Sequence, residues 1–382
     1  MIFLKRRALM TRASFNYKTV SGIGSAVLEN CVETKFKRLV LLGNSAQGEN
    51  PSIESPKEIK NSGKYDETSG KYVIDVSVTG KNLFDISQYD KYDDTWTNTT
   101  YTTKKLNLKP NTTYTMSCKR LVDKPKQYVI FNIISGIKTG KAISVQINPS
   151  LQLNHFTGKG TFTTGETGEI VLNYYVDCPK DQYWFTEVIG DIQIELGSAQ
   201  TDYEPYKEPQ TVQLQLDEPL RGIEEYKDVI TKDGILRKIK EIVLDENTGF
   251  ETYWATLNKT FAFISPTIKD ATVINNTPNR LLCNYFKVLP YGLDRTDEEV
   301  CVLFNRRFHI RFLKERNIDT VEKLKEWLKQ NPIKIQYLLQ EPALEPFENS
   351  LDSLHANDGT TIITVDSGEV ETGIEVEYAV KE

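Results

Sequence analysis

The sequence predicts a mainly β protein: a jelly-roll β-sandwich followed by a second β-rich domain that carries one short α-helix. Three observations predict it. Between residues 72 and 196, about eight short runs of alternating and β-branched residues recur with no helical pattern between them. Tyr and Phe number 19 and 16, and such side chains suit a pleated, half-buried surface. Only one stretch, residues 321–330, repeats apolar residues at helical spacing between start and stop signals.

At 382 residues the chain exceeds what one core usually organises, so two or three domains are expected. The formal net charge of −6 is the wrong sign for phosphate and argues against a nucleic-acid partner. Five cysteines, Cys31, Cys118, Cys178, Cys283 and Cys301, are widely spaced with no Cys-x-x-Cys. They read as free thiols rather than a zinc site or a disulfide framework. No run approaches the roughly 20 apolar residues of a membrane span, so no membrane partner is expected. Met1-Ile2-Phe3-Leu4 meets Lys5-Arg6-Arg7 at once, which leaves no apolar core for a secretory signal. Synthesis in a reducing cytoplasm is therefore expected, and the glycosylation triplets at Asn98, Asn111 and Asn258 carry no weight.

In chain order, residues 1–35 read as a weakly patterned N-terminal arm. Its Gly22-Ile23-Gly24 lacks the strand and third glycine of a dinucleotide loop. Residues 36–71 read as one strand, 36–42, and a polar connector held extended by Pro51 and Pro56. Residues 72–207 form the expected sandwich, with strands near 72–78, 101–108, 113–120, 127–134, 142–147, 160–164, 168–176 and 191–196. Lys109-Pro110-Asn111 and Gly165-Glu166-Thr167-Gly168 supply turns between them. The strand from Asp191 closes the sandwich, with Ile192, Ile194 and Leu196 on one face and Gln193 and Glu195 on the other. A Gly-Ser turn and Tyr203-Glu204-Pro205-Tyr206 then end it, because Pro205 has no N–H to donate to a central strand.

Residues 208–382 make up the second β-rich domain. Val212, Leu214 and Leu216 alternate, and Lys232-Asp233-Gly234 joins two further runs as a hairpin. The helix 321–330 places Val321, Leu324 and Leu328 on one face with Trp327 beside them. Asp319 is its expected cap with Glu322 three residues on, and Asn331-Pro332 stops it. Residues 333–339 then alternate as a strand, so the helix is expected to cover a sheet face. Two final strands lie at 361–365 and 373–380.

The residues offer architecture more readily than chemistry. His155, His309 and His355 sit in unrelated contexts, so no metal site is expected. There is no nucleophile elbow and no phosphate loop. The acidic clusters at 90–94 and 294–299 read as solvated loops rather than paired catalytic carboxylates. No catalytic residue, no cofactor and no enzyme activity are expected. The aromatic residues are the better lead, because sugar rings present C–H faces to flat side chains and hydroxyls to nearby polar groups. Trp96 lies in a polar loop, Tyr183 and Trp184 follow another, and Tyr174 neighbours Tyr175 on the opposite strand face. These four are the candidate carbohydrate-binding residues; the competing reading makes them core or subunit-interface anchors. Trp254 and Trp327 read as structural.

Several stretches resemble known phage proteins. Residues 39–59, with Gly43-Asn44-Ser45-Ala46-Gln47 and spaced prolines, resemble minor structural and tail proteins of phages of Gram-positive bacteria. Gly80-Lys81-Asn82-Leu83-Phe84, residues 106–115 and residues 192–206 resemble the carbohydrate-binding-module-like jelly rolls of such proteins. Residues 322–341, including Trp327-Leu328-Lys329-Gln330-Asn331-Pro332, resemble their C-terminal region. The resemblance implies a virion component at the tail tip, baseplate or fibre, involved in host attachment and binding cell-surface glycan. Its implied partners are other virion proteins, copies of itself in a homotrimer, and host cell-wall saccharide. Two alternatives stand beside it: a structural spacer or decoration protein with no ligand, and an accessory carbohydrate-binding subunit of a cell-wall hydrolase.

Overall fold

The computed structural model describes residues 15–85, 100–120, 129–135, 143–147, 157–176, 189–253, 259–272, 280–289, 298–347 and 350–381. The described chain is mainly β, with one α-helix. Its largest element is a 12-stranded sheet built wholly from antiparallel pairs. Across it the strands run Gln210–Leu216, Lys71–Gly80, Gly359–Asp366, Ser25–Cys31, Gly373–Val380, Arg38–Leu42, Val229–Thr231, Gly234–Leu244, Ile333–Glu345 and Leu281–Cys283. Asn16–Ile23 also pairs with Gly373–Val380, and Lys64–Asp66 with Lys71–Gly80.

Alternation drives this assembly. Ile74, Val76 and Val78 of one strand, Ile363 and Val365 of the next, and Ile374, Val376 and Tyr378 of a third are buried in one core. At roughly 25 cal/mol per Å² of apolar surface removed from water, this shared face is the main force holding distant segments side by side. The Lys232-Asp233 turn joins Thr231 to Gly234 as expected. Gly234 is needed there: its φ is +136°, and a Cβ would lie 2.4 Å from the Glu345 carbonyl oxygen.

Three expectations are corrected. Within the arm expected at residues 1–35, residues 16–31 are strands of this chain's own large sheet: Asn16 to Ile23 pair residue by residue with Val380 to Gly373, and Ser25–Cys31 pairs with Gly359–Asp366. The pattern is faint there because Asn16–Ile23 is held by backbone bonds while most of its side chains are exposed. The connector is not simply extended either. Ser45–Gln47 pairs with Ile59–Asn61, so both prolines fall in the loop of a hairpin. Lastly, the strand expected at 72–78 as the first of the sandwich belongs to the large sheet, between Gln210–Leu216 and Gly359–Asp366.

A second layer covers the sheet's C-terminal part. Its five strands run Glu251–Tyr253, Thr260–Ile264, Arg307–Leu313, Val300–Phe304 and Lys287–Val288, with Lys287–Val288 parallel to its neighbour. Phe263, Phe286, Phe308, Phe312 and Tyr337 fill the space between. The helix Val321–Leu328 buries Leu324 and Leu328 in this core. Trp327 packs edge-on against Tyr285 and Phe312, with ring centroids 5.3 and 5.2 Å away. The cap is Thr320, not Asp319: the Thr320 hydroxyl accepts the Lys323 N–H at 3.3 Å, while Asp319 pairs with the Lys323 ammonium at 2.7 Å. Cys31, Cys118, Cys283 and Cys301 are buried, and Cys178 and Trp254 lie outside the described residues.

Candidate functional site: the inserted strands and their anchor

Val78 and Gln210 face each other across neighbouring strands, yet about 130 residues separate them. The chain between them forms two sheets. One holds Thr157–Thr163, Thr113–Arg120 and Ile189–Leu196; the other holds Ile143–Ile147, Val129–Ser135, Glu169–Val176 and Thr100–Asn107. Successive strands alternate between the two sheets, except that Val129–Ser135 and Ile143–Ile147 pair with each other in the four-stranded one. Met116, Phe162, Ile170, Ile192 and Ile194 are buried, and Tyr114 stacks on Phe162 at 5.8 Å.

The strand Ile189–Leu196 departs from its expected faces. Ile192 and Ile194 are buried, but so are Gln193 and Glu195, while Leu196 is exposed. The polar pair is covered by the segment that follows it. Gln193 accepts the Glu204 N–H at 2.9 Å and donates to Glu195 at 2.9 Å. The Glu195 carboxylate accepts the Thr201 N–H at 2.9 Å and the Thr201 hydroxyl at 2.6 Å. Burial without such partners would cost several kcal/mol. Alternation located the strand correctly but could not show that its polar face is roofed by its own continuation.

A second set of bonds anchors this assembly to the large sheet. Buried Asn82 accepts the Ile194 N–H at 3.2 Å and donates to the carbonyls of Ile192 and Glu204 at 2.9 and 3.2 Å. Glu204 accepts the Thr360 N–H at 2.9 Å and the Thr360 hydroxyl at 2.7 Å, with the Lys81 ammonium 3.1 Å away. Burial alone would raise the Glu204 carboxyl, but the Thr360 bonds and Lys81 outweigh it and hold the group below its ordinary value. Sequence reading missed Lys81, Asn82, Glu204 and Thr360 as one unit, because no local spacing connects them.

The paired termini of the inserted strands reveal two distinct ends. At one end, residues 107–110 and Leu196 face Ile23, Val27, Ser77 and Thr79 of the large sheet across a cleft of about 600 Å³. At the other end Thr100 pairs with Val176, Val176 with Val129, Arg120 with Ile189 and Lys119 with Thr157. Eight-residue strands set the two ends roughly 25 Å apart.

Of the expected glycan residues, Trp96, Tyr183 and Trp184 lie outside the described residues. Tyr174 is placed by its backbone only, opposite Phe131 and Thr102 in the middle of the four-stranded sheet. Residues 86–99, which include Trp96, lie between Asp85 and Thr100, and residues 177–188, which include Tyr183 and Trp184, lie between Val176 and Ile189. Thr100, Val176 and Ile189 are at the end remote from the large sheet, whereas Asp85 follows the anchoring Lys81-Asn82. Among the described residues no group of three or more His, Cys, Asp or Glu is placed to hold a metal, and no helix is long and apolar enough to cross a membrane. Comparison with protein families, with curated proteins and with solved structures finds no match to this chain.

Proposed function

We propose that this chain is a virion structural protein of a phage tail, at the tip, baseplate or fibre. In this reading it takes part in host attachment by binding cell-surface glycan. On this view the inserted strands form a jelly-roll sandwich, and the β-rich part with one helix, drawn from the chain on both sides of them, is the second domain. The observation that carries the reading is the polarity of the insert. One end is bonded to the large sheet through Asn82, Glu204 and Thr360; at the opposite end lie Val176 and Ile189, which flank the segment bearing Trp184, and Thr100, where the chain returns from the segment bearing Trp96. A display module needs that arrangement: a rigid root and a free rim on which aromatic side chains meet a surface. The resemblance of residues 39–59, 192–206 and 322–341 to tail proteins of Gram-positive phages supports the same reading.

In this function no bond is made or broken. The protein assembles as a homotrimer with other virion proteins, and each copy contributes weak contacts. Repetition within one particle would raise avidity by roughly 10²–10⁴. The test is retention of the purified full chain on Gram-positive cell walls, comparing wild type with Trp96→Ala and Trp184→Ala. The reading expects retention to fall with unchanged melting and unchanged oligomer mass by light scattering. A spacer or decoration protein would show no retention in the wild type, and clearing of the walls in a zymogram would place the chain with the hydrolases instead. Wall binding that survives both substitutions would remove the sandwich rim from consideration.

A further inference from the structure

A separate cleft lies in the large sheet, far along the chain from the sandwich aromatics. The strands Lys64–Asp66 and Lys71–Gly80 place Tyr65 directly opposite Tyr72. Their rings sit 5.2 Å apart at 59°, and Tyr65 remains 59 % exposed. The pair forms one wall of a cleft of about 490 Å³, within the usual range of roughly 300–1,000 Å³ for ligand sites. An exposed aromatic held by a neighbouring ring has lost much of its rotational freedom already, so a ligand stacking on it has less ordering to impose.

The rest of the cleft is polar and preorganised. Asn61 and Glu241 line it, and both are held from behind by fully buried Gln336, which donates to them at 2.8 and 2.9 Å. Gln336 in turn accepts the Ser45 hydroxyl at 2.8 Å. Arg221 is only 6 % exposed; it donates to Glu218 at 2.7 Å, and its Nε has no partner. Lys334 also lines the cleft, exposed to solvent.

The charge balance selects the ligand. Lys60 is paired with Glu369, and Lys64 with Asp366 and Asp75 at 2.7 and 3.1 Å. Most positive charge on the walls is therefore already matched, which disfavours a phosphate group. The walls are too polar for an aliphatic ligand. What remains is a flat, exposed ring beside an amide and a carboxylate fixed by Gln336 and the exposed ammonium of Lys334. We propose that this cleft binds a neutral saccharide, one face stacked on Tyr65 and its hydroxyls bonded to Asn61, Glu241 and Lys334. It is a second carbohydrate site, independent of the sandwich and standing or falling apart from it.

The test is saturation-transfer NMR and titration on the full chain, with glucose, N-acetylglucosamine and their di- and trisaccharides as probes and inorganic phosphate as the competitor. The inference expects transfer to ring C–H protons of at least one sugar, about tenfold weaker binding in Tyr65→Ala, and near wild-type binding in Tyr65→Phe. Trp96→Ala with Trp184→Ala should leave this signal unchanged, whatever it does to cell-wall retention. Absence of transfer from every probe, or sugar binding that survives Tyr65→Ala, overturns the proposal. So does displacement of the sugar by phosphate at equal concentration together with loss of both in Lys334→Ala, which would make the cleft an anion site. Tyr65→Ala gives up only the cross-strand contact with Tyr72, so it should still melt cooperatively and close to wild type, and that control separates lost binding from lost fold.

Discussion

Glu204 clasps Thr360 with both carboxylate oxygens, taking the backbone N–H at 2.9 Å and the hydroxyl at 2.7 Å across 156 residues of sequence. The carboxylate form makes these bonds, so its folded pKa is lowered and its contribution depends on pH in a definite direction. The contribution is complete above the ordinary Glu value of about 4.3 and is lost as pH falls from there through the depressed folded value. Glu204→Gln should lower stability by about 1–2 kcal/mol at neutral pH. The difference from wild type should shrink in acid, and melting curves from neutral pH to pH 3 read it directly. A gap that stays constant over that range would mean that the carboxylate charge is irrelevant to the clasp.

The same clasp makes Gly359 intolerant of a side chain. Its φ is +92°, and a Cβ would lie 2.8 Å from a Glu204 carboxylate oxygen. Gly359→Ala should destabilise by about 1–3 kcal/mol. In a double-mutant cycle with Glu204→Ala, part of that cost should disappear, because the collision goes while the backbone strain remains. Strict additivity of the two changes would show that the crowding is not there.

Asp228, fully buried, accepts four bonds: from the N–H groups of Arg221, Lys238 and Ile239 and from the Arg237 guanidinium at 3.2 Å. It pins the chain where the register of Gly234–Leu244 against Ile333–Glu345 shifts between Arg237 and Ile239. Asp228→Ala leaves the N–H groups of Arg221, Lys238 and Ile239 without this acceptor, while Arg237 keeps Glu345 at 2.7 Å, so a loss of about 3–5 kcal/mol is expected in urea unfolding. A cost below about 1 kcal/mol would show that solvent reaches the cluster.

Thr320 and Asp319 separate by substitution. Thr320→Ala should cost about 1 kcal/mol, since it removes the acceptor of the Lys323 N–H. Asp319→Ala removes only an exposed pair with Lys323 and should cost clearly less than Thr320→Ala. Equal effects in thermal melts would restore Asp319 to the capping role.

The insert should be removable. Val78 and Gln210 are already opposed, so replacing residues 82–206 with a short turn should leave the large sheet folding cooperatively, weakened by loss of the Thr360 clasp. The excised part should be taken from residue 81 rather than 72, since Lys71–Gly80 pairs in the large sheet. Loss of cooperative melting in the shortened chain would mean that the two parts fold as one.

Much of this was legible where burial follows one face. The inserted strands, the Asp233-Gly234 hairpin and the helix at Val321 all lie within a few residues of their expected places, because alternation and helical spacing report the core side of an element. Three things escaped for physical reasons. Asn16–Ile23 is exposed on most of its length, so its side chains carry no record of the backbone bonds that hold it. Gln193 and Glu195 are polar yet buried, and polarity alone reads as solvent. Glu204 and Thr360 meet only through tertiary structure, so nothing near either residue announces the other. Tyr65 is equally silent in the sequence: only its pairing with Tyr72 and the cleft beside it distinguish it from any surface tyrosine.

The pairing of Asn16–Ile23 with Gly373–Val380 sets the order of assembly. The first described strand has no partner on its long edge until the last one has left the ribosome, and synthesis at about 5–20 residues per second leaves it waiting for tens of seconds. During that time the exposed edges of the half-built sheet are templates for other chains, whereas the inserted strands, whose partners are close in sequence, can close early. A nascent chain stalled just short of residue 373 should therefore hold a finished insert on an open sheet, the state most prone to cross-pair with its neighbours on the same messenger.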